Sequence, residues 1–222
     1  MFEQRHIHSL VTAGIALFTP AGIEGNAAES HHRNQPNIVF ILADDWGWGD
    51  LSCHGHPWLK TPNIDRLAQE GTEFLQFNVS NPVCSPSRVA FMTGMYPARF
   101  CIHQHFNNAQ HHIRCGMPDW LDPNAPMLPR ILKQAGYKTG HFGKWHLTNM
   151  PIHGAPRPEQ YGIDEYEVHC GGGDWPPSSR AQGLHRYMDK VVDFIRRHRN
   201  QPFFLNVWIH ESHTPHDPTP ES

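Results

Sequence analysis

No stretch of the 222-residue chain comes near the ~20 uninterrupted apolar residues a helix needs to cross a bilayer, so no membrane span is expected. No block of lysine and arginine stands out, and the net charge of −3 leaves no polybasic footprint for nucleic acid. The five cysteines lack the paired Cys/His spacing of a structural zinc site, although the chain carries nineteen histidines. Internal repeats and coiled-coil heptads are absent too. What remains is a globular composition, 38% hydrophobic and 18% charged, enough for one substantial domain. Twenty prolines and eighteen glycines predict many loops on a rigid scaffold.

The first 28 residues read as an export signal. Arg5 supplies positive charge, Leu10 to Phe18 form a short apolar run, and small residues end near Ala27-Ala28. The mature domain is then 29–222, in an oxidising, exported compartment (periplasmic, extracellular or lysosome-like). There an odd cysteine count asks for a reason. Chemical conversion of Cys84 would leave four, of which Cys101 and Cys115 could close a local loop or stay as thiols.

Past residue 28, strand and helix patterns alternate. Asn37 to Leu42 is a continuous apolar run of strand length, as expected of a strand buried on both faces. A helix follows from Thr61 through Gln69, with Ile64, Leu67 and Ala68 on one stripe and Gly71 as its stop. Thr72 to Phe77 reads as a strand, Pro86 to Thr93 as a short helix, Pro126 to Ala135 as a helix stopped by Gly136, and Tyr137 to Phe142 as a strand. The stretch from Thr148 to Arg180 reads as loop. Gln182 to Arg199 has the clearest helical period, with a basic last turn, and Phe203 to Ile209 is a further strand. This order predicts an α/β fold with a largely parallel sheet flanked by helices on both faces.

Ligands in such sheets bind beyond the carboxyl ends of the strands. That rule selects Asp44 and Asp45 after the first strand, Lys144 and His146 after the Tyr137 strand, and His213 after the last. Adjacent carboxylates at a buried strand end need a cation or basic groups to offset their repulsion, and hard oxygen donors suit calcium or magnesium. Asp50 reads as structural. Cys84 falls at the amino end of a helix, where partial positive charge favours an anion, and Arg88 lies one turn along. A nucleophile, a helix terminus and an arginine together suit a tetrahedral oxyanion; a low-pKa thiol enzyme would fit that geometry as well.

Three segments together resemble the formylglycine-dependent sulfatases of the alkaline-phosphatase-like superfamily. Cys84-Ser85-Pro86-Ser87-Arg88 with Met92-Thr93-Gly94 resembles their C-x-P-x-R signature, Asp44 to Asp50 their DDxGxGD element, and Gly143-Lys144-Trp145-His146 their GKWH element. Thr61 to Ala68 is similar to a further family stretch. The resemblance implies that a formylglycine-generating enzyme oxidises Cys84 to an aldehyde, which hydrates to a geminal diol. One hydroxyl attacks sulfur and displaces the substrate alcohol; the other loses its proton and expels sulfate, restoring the aldehyde.

By the same resemblance, Asp44, Asp45 and the modified residue 84 bind calcium. Arg88 and Lys144 hold the modified side chain and offset sulfate charge. His146 is the base for elimination, and His213, or else His216, serves the leaving oxygen or binds sulfate. His210 stands behind them. The expected substrate is a sulfated small molecule or a sulfated polysaccharide. The family takes further calcium ligands and a second lysine from later segments that have no match here, so the chain reads as truncated and inactive by itself. Three other readings stay open: a phosphonate or phosphodiester hydrolase of the same superfamily, a non-catalytic remnant, and the thiol enzyme.

Overall fold

A computed structural model describes residues 35–149, 151–171 and 183–213. The proposed signal and His216 therefore lie outside the described residues. Four parallel strands form one sheet in the order β1-β4-β2-β3, where β1 is Ile38–Ala43, β2 Lys138–Lys144, β3 Glu165–His169 and β4 Phe203–Ile209. The helices are α1 (Pro62–Glu70), α2 (Cys84–Thr93), α3 (Ala109–Cys115), α4 (Leu128–Gln134) and α5 (Gly183–His198).

Alternation along β4 divides the core in two. Phe203, Leu205 and Val207 face α5, where they pack with Tyr187, Val191 and Phe194. Trp208, on the opposite face, packs with Val89 and Met92 of α2 and with Trp145 and Tyr161. Phe40 of β1 joins that second cluster edge-on, 5.3 Å from Phe91 and 6.0 Å from Trp208 between ring centroids. Helices thus cover both faces of the sheet, as its strand pattern predicts. At β2 the two sides come very close: a Cβ on Gly143, whose φ is +110°, would lie 2.1 Å from the Trp208 carbonyl oxygen. Only glycine fits there, which gives the first residue of the GKWH element a physical reason.

Several local expectations are corrected. β1 is not buried on both faces: Val39 and Ile41 are exposed, because α5 packs on β2 and β4 while β1 lies at the sheet edge. Residues 72–77 form no strand, and Phe74, Leu75 and Phe77 are exposed. No residue of α1 is fully buried: Ile64 and Ala68 of its apolar stripe are half-buried and Leu67 is exposed. The stretch expected to be loop contains a 3-10 turn at Pro158–Tyr161 and the strand β3, whose outward polar residues hid its period. The short helix α3, unread in the sequence, is capped by Asn108, whose side chain accepts from the His111 N–H. None of the five cysteines is in a disulfide, Cys101 and Cys115 included. Among the described residues no helix is long and apolar enough to cross a membrane.

Candidate active site

The carboxyl ends of β1, β2, β3 and β4 deliver polar residues to one edge, as the topology requires. A cleft of about 450 Å³ opens there, lined by Asp45, Cys84, Lys144, His146, Cys170, His210 and His213 among others. A smaller cleft of about 190 Å³ adjoins it and is lined by Asp44, Arg88 and Ser87, with Cys84 on the wall of both. All seven residues singled out from the sequence therefore come together at one edge.

Asp44 is the electrostatic hub. Its backbone N–H donates to the Ile209 carbonyl, tying it to β4 at 3.1 Å. Its buried carboxylate accepts from Arg88 Nη2 at 3.0 Å and, through the other oxygen, from Lys144 Nζ. Burial pushes this carboxyl up, but Arg88 and Lys144 outweigh that and hold it at about 2. Arg88 is itself almost fully buried; Nη1 donates to the Lys144 carbonyl at 3.1 Å, and its guanidinium lies over the Trp208 ring at 4.9 Å. The same carbonyl faces His141 Nε2 at 3.2 Å, so a fully buried histidine that the sequence reading missed steadies Lys144. Burial pushes His141 down to about 3, so it is neutral.

Cys84 opens α2, and no side chain caps that helix terminus. The first-turn N–H groups and Arg88 therefore favour an anion beside residue 84. His146 faces the cleft with its tautomer defined: Nε2–H donates to the Phe106 carbonyl at 2.9 Å, and buried Nδ1 has no hydrogen-bond partner. Burial, reinforced by Lys144, lowers its pKa well below that of free histidine. A neutral imidazole with an unused lone pair is what a base in this cleft requires.

Asp45, next to the buried Asp44, is exposed, and its carboxylate lies 3.6 Å from His213 Nε2. Asp50 takes no part; it accepts from the Gly47 N–H at 2.7 Å, the structural role expected of it. His210 Nε2 lies 3.6 Å from Asp44 Oδ2 and its Nδ1 lies 2.9 Å from His169 Nε2, placing it at the back of the cleft. Among the described non-glycine residues, four have positive φ, and three of them (Asp45, His146 and Cys170) line the cleft. Such backbone strain costs about 1–3 kcal/mol per residue and persists where surrounding structure imposes it.

Asp44 and Asp45 both line the smaller cleft and bring the hard carboxylate oxygens that calcium takes, the Asp44 pair being shared with Arg88 and Lys144. A full set of about six to eight oxygens needs more carboxylates or carbonyls than these two residues provide. His105, Cys170 and His169 were not foreseen. The last two follow from β3: once that strand is read, the carboxyl-end rule selects them, whereas His105 sits in a loop with no period to flag it.

The family model for sulfatases matches residues 36–222. The chain belongs to the sulfatase family. It is 36% identical over 215 residues to human N-acetylgalactosamine-6-sulfatase, covering 81% of this chain and 40% of that protein. The sulfatase chain thus spans about 40% of the length of the curated relatives it matches. A structure described under the metabolism of multiple glycosaminoglycans by Bacteroides thetaiotaomicron superposes with a TM-score of 0.71 at 25% identity, covering 84% of this chain and 53% of that one. Another, solved with its substrate D-glucosamine-2-N,6-O-disulfate, gives 0.66 at 26% identity, covering 85% and 37%.

Proposed function

We propose that this chain carries the nucleophile half of a sulfate-ester hydrolase, with residue 84 acting as formylglycine. The observation that carries the reading is the setting of Cys84: an uncapped helix terminus in one cleft with Lys144, a neutral His146 and His213, beside the buried Arg88–Asp44–Lys144 group. As formylglycine, residue 84 would supply two hydroxyls on one carbon, one to attack sulfur and one to let sulfate go.

The other roles belong to side chains already in position. Arg88 and Lys144 line the clefts that residue 84 also lines and, with Asp44 between them, leave a net positive charge where sulfate oxygens would collect negative charge. His146 Nδ1 is the acceptor for the proton of the second hydroxyl, and the Phe106 carbonyl keeps that nitrogen unprotonated by holding the proton on Nε2. His213, paired with Asp45, is the group to serve the departing alcohol. Asp44, Asp45 and modified residue 84 would hold calcium, which orients sulfate and offsets its charge. The substrate class is a sulfated sugar, in keeping with the names of N-acetylgalactosamine-6-sulfatase and of the glucosamine-disulfate complex, and export through residues 1–28 would bring the protein to it.

Sulfate release by the native protein from amino-sugar sulfates and from matched phosphodiesters tests the reading. Turnover of sulfate esters that Cys84→Ala abolishes and thiol alkylation spares is expected. Preference for phosphodiesters would favour the sister hydrolases, alkylation sensitivity a thiol enzyme, and no turnover a remnant.

A further inference from the structure

Behind the cleft, the ends of β3 and β4 bring His169, Cys170 and His210 together, with one ligand atom of each within 4.8 Å of the others. We propose that these three residues form a site for a divalent cation of the zinc class, separate in chemistry from the carboxylate pair at Asp44 and Asp45. Two imidazoles and a thiolate suit a borderline-soft ion, whereas calcium takes oxygen donors.

The contacts between the imidazoles and the outer contact of His169 support the assignment. His169 Nε2 and His210 Nδ1 face one another at 2.9 Å, and a widening of about 0.4 Å would let an ion about 2.1 Å from each take the place of the proton between them. The far nitrogen of His169 meets an oxygen, Nδ1 lying 3.0 Å from the Tyr187 hydroxyl, while His210 Nε2 lies 3.6 Å from the Asp44 carboxylate, beyond hydrogen-bond reach. An oxygen on the second nitrogen is the arrangement that orients metal-bound histidines. The rings are nearly parallel, 4.9 Å apart with a 21° interplanar angle, and His169 also stacks on Tyr187. Cys170 has φ 54° and forms no disulfide. Because Cys170 and His210 also line the cleft with Cys84, the ion's fourth position would open toward the oxyanion pocket. The site thus has three protein ligands and one exchangeable position.

Calorimetric titration with Zn2+ and absorption titration with Co2+ test the site on the whole chain. One site is expected whose affinity falls by at least ~10-fold in Cys170→Ser and in His169→Gln, and by roughly 10-fold in Tyr187→Phe, which removes only the hydroxyl behind His169. The Co2+ complex of the unsubstituted protein should show a thiolate-to-metal charge-transfer band, a readout that needs no folded variant. Zinc affinity unchanged by Cys170→Ser would place the ion on other histidines and overturn the proposal, and so would a Co2+ spectrum without the thiolate band.

Discussion

At the carboxyl edge of the sheet, charged groups are buried and paired; along residues 46–79, large apolar groups stand in solvent. Arg88 and Lys144 are each about 1% exposed and share Asp44 between them. Trp58 is 82% exposed and Phe74 73%, and no residue of α1 is fully buried. The cleft thus holds two cations on one carboxylate, a net positive charge, with one buried Arg88 N–H, at Nε, left without a hydrogen-bond partner. Along 46–79 the polar groups are paired, Asp65 with Ser52 and Thr61 and His54 with Glu73, but the large apolar side chains stand open. Breaking a member of the first region should therefore cost far more than altering the second.

The largest effect should come from Asp44→Asn, which leaves two buried cations without their anion. Removing one partner of a buried ion pair costs about 3–5 kcal/mol, to be read from chemical denaturation midpoints. Gly143→Ala comes next, at about 3 kcal/mol, since the added Cβ meets the Trp208 carbonyl and the positive φ disfavours alanine; thermal unfolding would measure it. A lower Tm shift than that of a surface substitution would show that β2 and β4 can separate without loss.

Asp44 contributes to the acid limb of stability, alongside Glu165, which Arg197 likewise holds at about 2. The folded pKa of Asp44, about 2, lies below the ordinary 3.8, so its contribution is complete above about pH 4 and fades as pH falls toward 2. The drop from Asp44 should be on the order of 2 kcal/mol, and Asp44→Asn should remove that part of the pH profile. The smallest effects belong to the exposed side. Asp45→Asn and Phe74→Ser should each change stability by under about 0.5 kcal/mol, with Phe74→Ser lowering binding of an apolar dye. A large loss from Phe74→Ser would mean that the 46–79 surface is covered in solution.

Much of this was legible because strand ends carry both a period and a rule. NIVFIL, FFLNVWI and the Tyr137 strand stand out as apolar runs, and their carboxyl ends name Asp44, His213 and Lys144 directly. Cys84 and Arg88 follow from one proline and a four-residue spacing. What was missed lacks such signals. β3 reads EYEVH, with glutamates that pair with Arg197 and Lys190 of α5, so its charge resembles a loop. His141 is buried only because Trp145 and Trp208 close over it, a long-range fact that no local pattern holds. The reading of residues 72–77 as a strand failed for the opposite reason: the apolar residues are there, but no described strand lies beside them to pair with.

Mass spectrometry of the peptide carrying residue 84, from protein made in its native source, tests the central claim most directly. An aldehyde is expected at position 84, one that reacts with hydrazide reagents and resists thiol alkylation. A quantitative thiol at that position in active protein would contradict it.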